Sequence, residues 1–222
     1  MNFFNLLQSL DELLYEVMSW LVFYPATLWR TLVRPLKMMD YSDGEQGDKP
    51  EQQYADTLSP PLFLLLSLIL VHAAEIALVG NDAVMTSKVG LSALVSTNTD
   101  LIILRIVSYS LFPVMMATRL VRARSVQVNR DTLRAPFYSQ CYVAAVLAIL
   151  LGAGEILIKL AHIWSVLAGA GLAIFALLWF GFLQTAWFNQ HLKCGRLKAF
   201  GHASRAMVES LVAVLLLSSL FN

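Results

Sequence analysis

FYSQCYVAAVLAILLGAGEILIK, residues 137–159, is a run of 23 residues whose only charges, Glu155 and Lys159, lie in its last five positions. A bilayer's hydrocarbon core is about 30 Å thick, and about 20 apolar residues cross it as a helix. Four other stretches read the same way: PLFLLLSLILVHAAEIALV at 61–79, LIILRIVSYSLFPVMMAT at 101–118, the apolar segment 163–187, and a shorter one at 206–221. The last has only 16 residues, so it is expected to cross where the bilayer thins or against other helices. Composition agrees. The chain of 222 residues is 58% hydrophobic and 14% charged, with a mean hydropathy of +0.64. A soluble domain is about 45–50% apolar and about 25% charged. The fold class that follows is all-α: a polytopic membrane helical bundle of five transmembrane helices.

The region before these spans is different in kind. Between residues 3 and 23, Leu6, Leu7, Leu10, Leu13, Leu14, Val17 and Leu21 recur at three and four, with Asp11, Glu12 and Glu16 on the other face. That pattern predicts an amphipathic helix lying on the membrane surface, ended by Pro25. Residues 26–39 repeat it with the opposite charge, placing Arg30, Arg34 and Lys37 on one face, with Tyr24 and Trp29 at headgroup level. The alternative is that both helices simply pack against the spans. Residues 40–59, DYSDGEQGDKPEQQYADTLS, read as a flexible polar loop, and 84–96 as a short surface helix. Three parts result: amphipathic helices in 1–39, a loop in 40–59 and the membrane domain in 60–222. Acidic residues at positions 11, 12 and 16 interrupt what a cleaved signal would need, so none is expected.

Orientation follows from Lys and Arg. Thirteen of the 16 fall on one side: Arg30, Arg34, Lys37, Lys49, Arg119, Arg122, Arg124, Arg130, Arg134, Lys193, Arg196, Lys198 and Arg205. With five spans, this sets the N-terminus in the cytoplasm and the C-terminus outside.

Charges within spans each cost about 2.5–3.5 kcal/mol on insertion scales. His72 and Glu75 share a face of the first span, Arg105 opens the second, and Glu155 and Lys159 close the third. All five fall at one depth near the outer surface, which predicts pairing of Glu75 with Arg105 and of Glu155 with Lys159. Two readings fit: structural ion pairs near the interface, or an outward-opening pocket that binds a headgroup or ion or relays protons. Ala144, Ala148 and Gly152, and likewise Gly169 with Ala173, set small residues four apart and predict close helix interfaces between spans or between subunits. Pro113 kinks the second span.

No nucleophile elbow, zinc-protease motif, phosphate-binding glycine loop or Cys/His zinc spacing occurs, so no enzyme, cofactor or metal site is expected. His162, His191 and His202 are scattered, and Cys141 and Cys194 form no redox spacing. The basic stretch from Arg119 to Arg134 reads as topology and lipid contact, not nucleic-acid binding. Expected partners are the bilayer and either further copies of the chain or another membrane protein.

Two segments, SPPLFLLLSLIL at 59–70 and DTLRAPFYSQCY at 131–142, together with the order of spans, resemble the five-span membrane proteins of the Yip-domain type, among them small bacterial proteins labelled "permease". The resemblance spans roughly residues 60–222. The N-in, C-out layout also fits it; in a bacterium it implies the cytoplasmic (inner) membrane, and it assigns no binding residue. The functions in view are a permease-like or lipid-handling protein and, alternatively, a membrane scaffold or assembly factor.

Overall fold

The computed structural model describes residues 3–49, 52–80 and 98–219. Of these, 86% are helical and none is in a strand. Seven helices result: α1 Phe3–Val33, α2 Pro35–Glu45, α3 Pro60–Leu78, α4 Asn98–Ala123, α5 Arg130–Lys159, α6 Ile163–Leu192 and α7 Arg196–Ser219. α3 to α7 are each long and apolar enough to cross a membrane, and the chain is a multi-pass membrane helical bundle. They run alternately up and down. The basic ends of α4, α5, α6 and α7 and the start of α3 gather at one end, hereafter the basic end.

α5 is the axis of the bundle. It starts with a capping box, in which the Thr132 amide donates to Asn129 Oδ1 at 2.9 Å and the Asn129 amide donates to Thr132 Oγ1 at 3.0 Å. From Ser139 to Ala148 every residue is buried. Its two faces serve different neighbours. Cys141, Tyr142, Ala144, Ala145 and Ala148 pack with Phe63, Leu64 and Leu68 of α3 and Met38 of α2. Val143 and Leu147 face Phe112 and Met116 of α4, Ala176 and Phe180 of α6, and Ala203 of α7. The outward faces of α6 and α7 are apolar too, with Trp164, Phe182, Leu197 and Leu215 more than half exposed, as a helix wall in lipid requires.

Four expectations change. Pro25 does not end the first helix, which continues to Val33. Proline removes the bond to the carbonyl four residues back. Here that carbonyl belongs to Leu21, an exposed residue, so water or headgroups reach it. The break falls at Arg34 instead, where φ −137° leaves the helical region ahead of Pro35. It is one residue wide: the Arg34 amide still donates to the Arg30 carbonyl at 2.9 Å and the Met38 amide to that of Arg34 at 3.1 Å.

Residues 40–59 are not a flexible loop throughout. α2 extends to Glu45, burying Met38, Met39 and Ser42 against α5, and the following turns fold back on it through Tyr54. The Tyr54 hydroxyl receives Gln46 Nε2 at 2.7 Å and lies 3.2 Å from Ser42 Oγ, while its amide donates to the Glu45 carboxylate. A polar composition concealed a hydrogen-bonded cap because its aromatic anchors are two scattered residues, Tyr41 and Tyr54. The fourth and fifth spans are also longer than the apolar windows 163–187 and 206–221, reaching Leu192 and starting at Arg196. Polar turns continue both helices past the point where hydropathy falls. The short helix expected over 84–96 lies outside the described residues.

α1 is anchored to the bundle through its second half. Tyr24 Oη lies 3.0 Å from Ser67 Oγ, and Thr27 Oγ1 accepts the Leu58 amide at 3.1 Å. Arg30 donates to Asp56 at 2.7 Å. These contacts lie at the start of α3, so α1 stays at the basic end instead of running the length of the bundle. Its residues 9–18 are exposed on all sides, apolar and acidic alike. α2, by contrast, packs against the spans.

Candidate functional site

At the end opposite the basic one, three spans bring charge together. α3 ends on Gly80, whose φ of 98° suits glycine alone, with its amide donating to the Ile76 carbonyl at 3.1 Å. The last full turn before this cap carries Glu75, only 3% exposed. One turn earlier on the same face is His72, equally buried. α4 contributes Arg105, whose Nη2 is ion-paired with Glu75 Oε2. The end of α5 contributes Lys159, whose Nζ pairs with Glu75 Oε1 and also with Glu155 at 2.8 Å. Both carboxylate oxygens of Glu75 are therefore taken by cations from two other helices.

The five residues read from the sequence thus occupy one place, with Glu75 at its centre. Glu75 and Glu155 balance Arg105 and Lys159, so the four charges sum to zero. Exposure grades outward: the Arg105 side chain is 14% exposed, Lys159 28% and Glu155 45%. A buried carboxylate with two cations avoids the large cost of an unpaired charge in low dielectric. Glu155 and Lys159 are the more exposed members of the cluster.

The small residues work within the chain. A Cβ on Gly152 would collide with the Val71 side chain of α3. One on Gly169 would stand 2.5 Å from the Gly154 carbonyl oxygen, and one on Gly154 2.9 Å from that of Gly169, with Ala173 beside it. Ala144 and Ala148 lie in the α3-facing cluster. Gly152 therefore brings α3 close to α5 while Gly154, Gly169 and Ala173 join α5 to α6, which sets Lys159 against Glu75. Gly154 breaks the four-residue spacing, and only the crossing of the two helices picks it out.

Of the basic surface residues, Arg30 is bound to Asp56, whereas exposed Arg34 and Lys37 line, with Trp29 and Tyr41, a groove of about 400 Å³. The Arg30 guanidinium holds the Asp56 carboxyl below its ordinary value of 3.8, helped by the Tyr41 hydroxyl.

Three polar sites escaped the sequence reading. Gln140 and Gln184, both fully buried, exchange two amide hydrogen bonds at 3.0 and 2.5 Å between α5 and α6. His191 Nε2 lies 3.7 Å from both Asp40 and Asp43 of α2, its ring stacked on Trp187. Asp43 also accepts from the Ser139 hydroxyl of α5, and burial pushes its carboxyl above the ordinary 3.8. On α7, Glu209 pairs with Arg205 at 2.8 Å on an exposed face. Among the described residues no group of three or more His, Cys, Asp or Glu is placed to hold a metal ion.

Comparison with family models, with curated proteins and with solved structures finds no match to this chain.

Proposed function

We propose that this chain is a non-enzymatic membrane scaffold or assembly factor, seated in a cytoplasmic (inner) membrane with its N-terminus in the cytoplasm. The observation that carries this reading is the saturation of Glu75. Its two oxygens are engaged by Arg105 and Lys159, and the cluster is neutral. A substrate or ion site holds a charge or a dipole in reserve for its ligand, whereas this one spends its charges on joining α3, α4 and α5. α1 supports the same reading: Leu13, Leu14, Tyr15, Met18, Leu21 and Val22 are all more than half exposed, while Tyr24 and Thr27 anchor its second half to the bundle. The Yip-type resemblance stands beside this as a proposal about kinship, and self-association as a proposal about assembly.

The test is purification from native membranes after crosslinking, with the full chain and with residues 1–22 deleted. The deletion stops short of Tyr24 because residues 24–45 are built into the bundle. A reproducible protein partner that the deletion loses supports the scaffold. A homogeneous assembly of this chain alone, with solute flux above that of empty vesicles, overturns it.

The permease-like or lipid-handling reading draws on one observation, the burial of His72 a turn from Glu75. Proton-coupled flux in vesicles that Glu75→Gln abolishes would support it. Flux equal to that of protein-free vesicles excludes it.

A further inference from the structure

At the basic end, α4 and α5 leave a groove of about 750 Å³ between them, lined by Val114, Ala117, Leu133 and Phe137 and edged by Arg130, Asp131 and Arg134. Such a volume falls within the range of about 300–1,000 Å³ typical of small-molecule sites. We propose that this groove binds one anionic phospholipid, its phosphate held by Arg130 and Arg134 and its upper acyl chain laid against Val114, Leu133 and Phe137.

The argument starts from charge. Among the described residues neither Arg130 nor Arg134 is in an ion pair, although Asp131 lies between them on the same helix. Two arginines and one aspartate leave the rim with a net charge of +1. Arg134 is held in place: its Cζ lies 5.7 Å from the centre of the Tyr138 ring, which stacks in turn on Tyr54 at 6.5 Å. A planar guanidinium with fixed orientation matches phosphate better than a mobile ammonium.

Depth selects a lipid over a soluble anion. Val114 sits nine residues before Ala123, the end of α4, hence about 13 Å further into the bundle at 1.5 Å per residue. Arg130 opens α5, at the basic end of the bundle. The groove is thus cationic at headgroup level and apolar below it. A free phosphate would use the rim alone, and a neutral lipid would leave the arginines uncompensated. Basic pockets between spans on the cytoplasmic side have this chemistry. The inference is independent of the scaffold reading, since either a scaffold or a permease accommodates it.

Native mass spectrometry of the full chain in uncharged detergent, titrated with phosphatidylglycerol, phosphatidylcholine or glycerol phosphate, tests it. One phosphatidylglycerol should be retained in preference to phosphatidylcholine. The Arg130→Gln, Arg134→Gln double variant should weaken that retention about tenfold or more, since one charge-assisted hydrogen bond is already worth about that factor. Arg122→Gln, which removes an exposed arginine at the same end but outside the groove, should change it less than about twofold. Val114→Trp fills the apolar floor without altering charge and should also expel the lipid, so it decides the matter should the arginine variants fail to fold. Equal retention of the two lipids overturns the proposal. So does an Arg122→Gln loss as large as that of the double variant, which would mean a diffuse positive field. Displacement by glycerol phosphate at the lipid's own concentration would make this a free-phosphate site instead.

Discussion

Glu75 is a carboxylate with two cations, and its removal makes a prediction. Arg105 and Lys159 each pair with one of its oxygens. Glu75→Ala should therefore cost both cations an ion pair. Breaking a buried pair costs about 3–5 kcal/mol, less here because Arg105 is partly exposed, and removing both partners is milder. In detergent, the Glu75→Ala, Arg105→Ala double variant should be more stable than the two single losses imply, with a coupling of about 1 kcal/mol or more. Strictly additive losses would mean that the pair contributes nothing. Gln140 and Gln184 follow the same logic without charge. Gln140→Leu leaves a buried amide unsatisfied and should cost about 1–3 kcal/mol, whereas Gln140→Leu with Gln184→Leu should be nearly neutral. Thermal unfolding of the three variants checks this, and a double variant worse than either single would sink it. The two sites also differ in legibility. A charge in an apolar run stands out, and its depth can be counted from the end of the span, so His72, Glu75, Arg105, Glu155 and Lys159 were all visible. A glutamine 44 positions from its partner is not, because only the register of α5 against α6 brings the two together. His191 with Asp40 and Asp43 was hidden for the same reason, since its partners lie in a segment that composition assigned to a loop.

Among elements, the α5–α6 hairpin depends on two backbones in contact. Gly169→Ala sets a methyl group 2.5 Å from the Gly154 carbonyl, and backbone cannot swing aside as a side chain does. The substitution should cost about 1–3 kcal/mol, as overpacking does. Gly171→Ala, two residues on, meets nothing within 4 Å and should be tolerated. Equal melting temperatures for the two variants would show that the close approach contributes nothing. Docking of α1 and α2 should respond to acid with opposite signs. Asp43 has a carboxyl raised by burial, so the folded state takes up its proton first. Lowering the pH from that raised value through 3.8 should tighten α2, and Asp43→Asn should remove the effect. Asp56 is held low by Arg30, so its contribution is present above 3.8 and lost as the pH falls through its depressed value. Being an exposed pair, it is worth about 0.2–1 kcal/mol. Melting curves of wild type, Asp43→Asn and Asp56→Asn from neutral pH to below 3.8 separate the two contributions; an Asp43→Asn curve with the same acid response as wild type would contradict the Asp43 assignment. Helix existence was legible from periodicity and apolar length, and helix ends were less so. Pro25 reads as a stop, yet the helix passes through it because contacts from Tyr24, Thr27 and Arg30 hold the far side in line. Arg196 begins a helix ten residues before its apolar stretch because a polar sequence is no obstacle to helix outside lipid.

For the whole molecule, topology is the consequence of the charge count and the five spans together. The structure collects Arg30, Arg119, Arg124, Arg134 and Arg196 at one end through contacts that include the Tyr24–Ser67 and Arg119–His202 hydrogen bonds. Positive residues flanking spans are retained in the cytoplasm, so that end should face inward and carry α1, α2 and the groove between α4 and α5. Five crossings then put the two termini on opposite sides. Reporters inserted in the turns at 125–129 and 193–195 should report the cytoplasm, and a reporter after Asn222 the exterior. The critical element is α7. Its first ten residues include Arg196, Lys198 and Arg205, and the described remainder from Ala206 to Ser219, with Glu209 as its one charge, spans about 21 Å at 1.5 Å per residue. That is short of the core of about 30 Å. Either the bilayer thins there, or Arg205, paired with Glu209 on the exposed face, enters the membrane by reaching back to headgroup water. Replacing Arg205 and Glu209 by Leu lengthens the apolar stretch by at least a turn. The exterior signal from the C-terminal reporter should then stay the same or strengthen. A cytoplasmic signal from the unmodified chain would show that α7 turns back within the bilayer, and that four helices cross, not five.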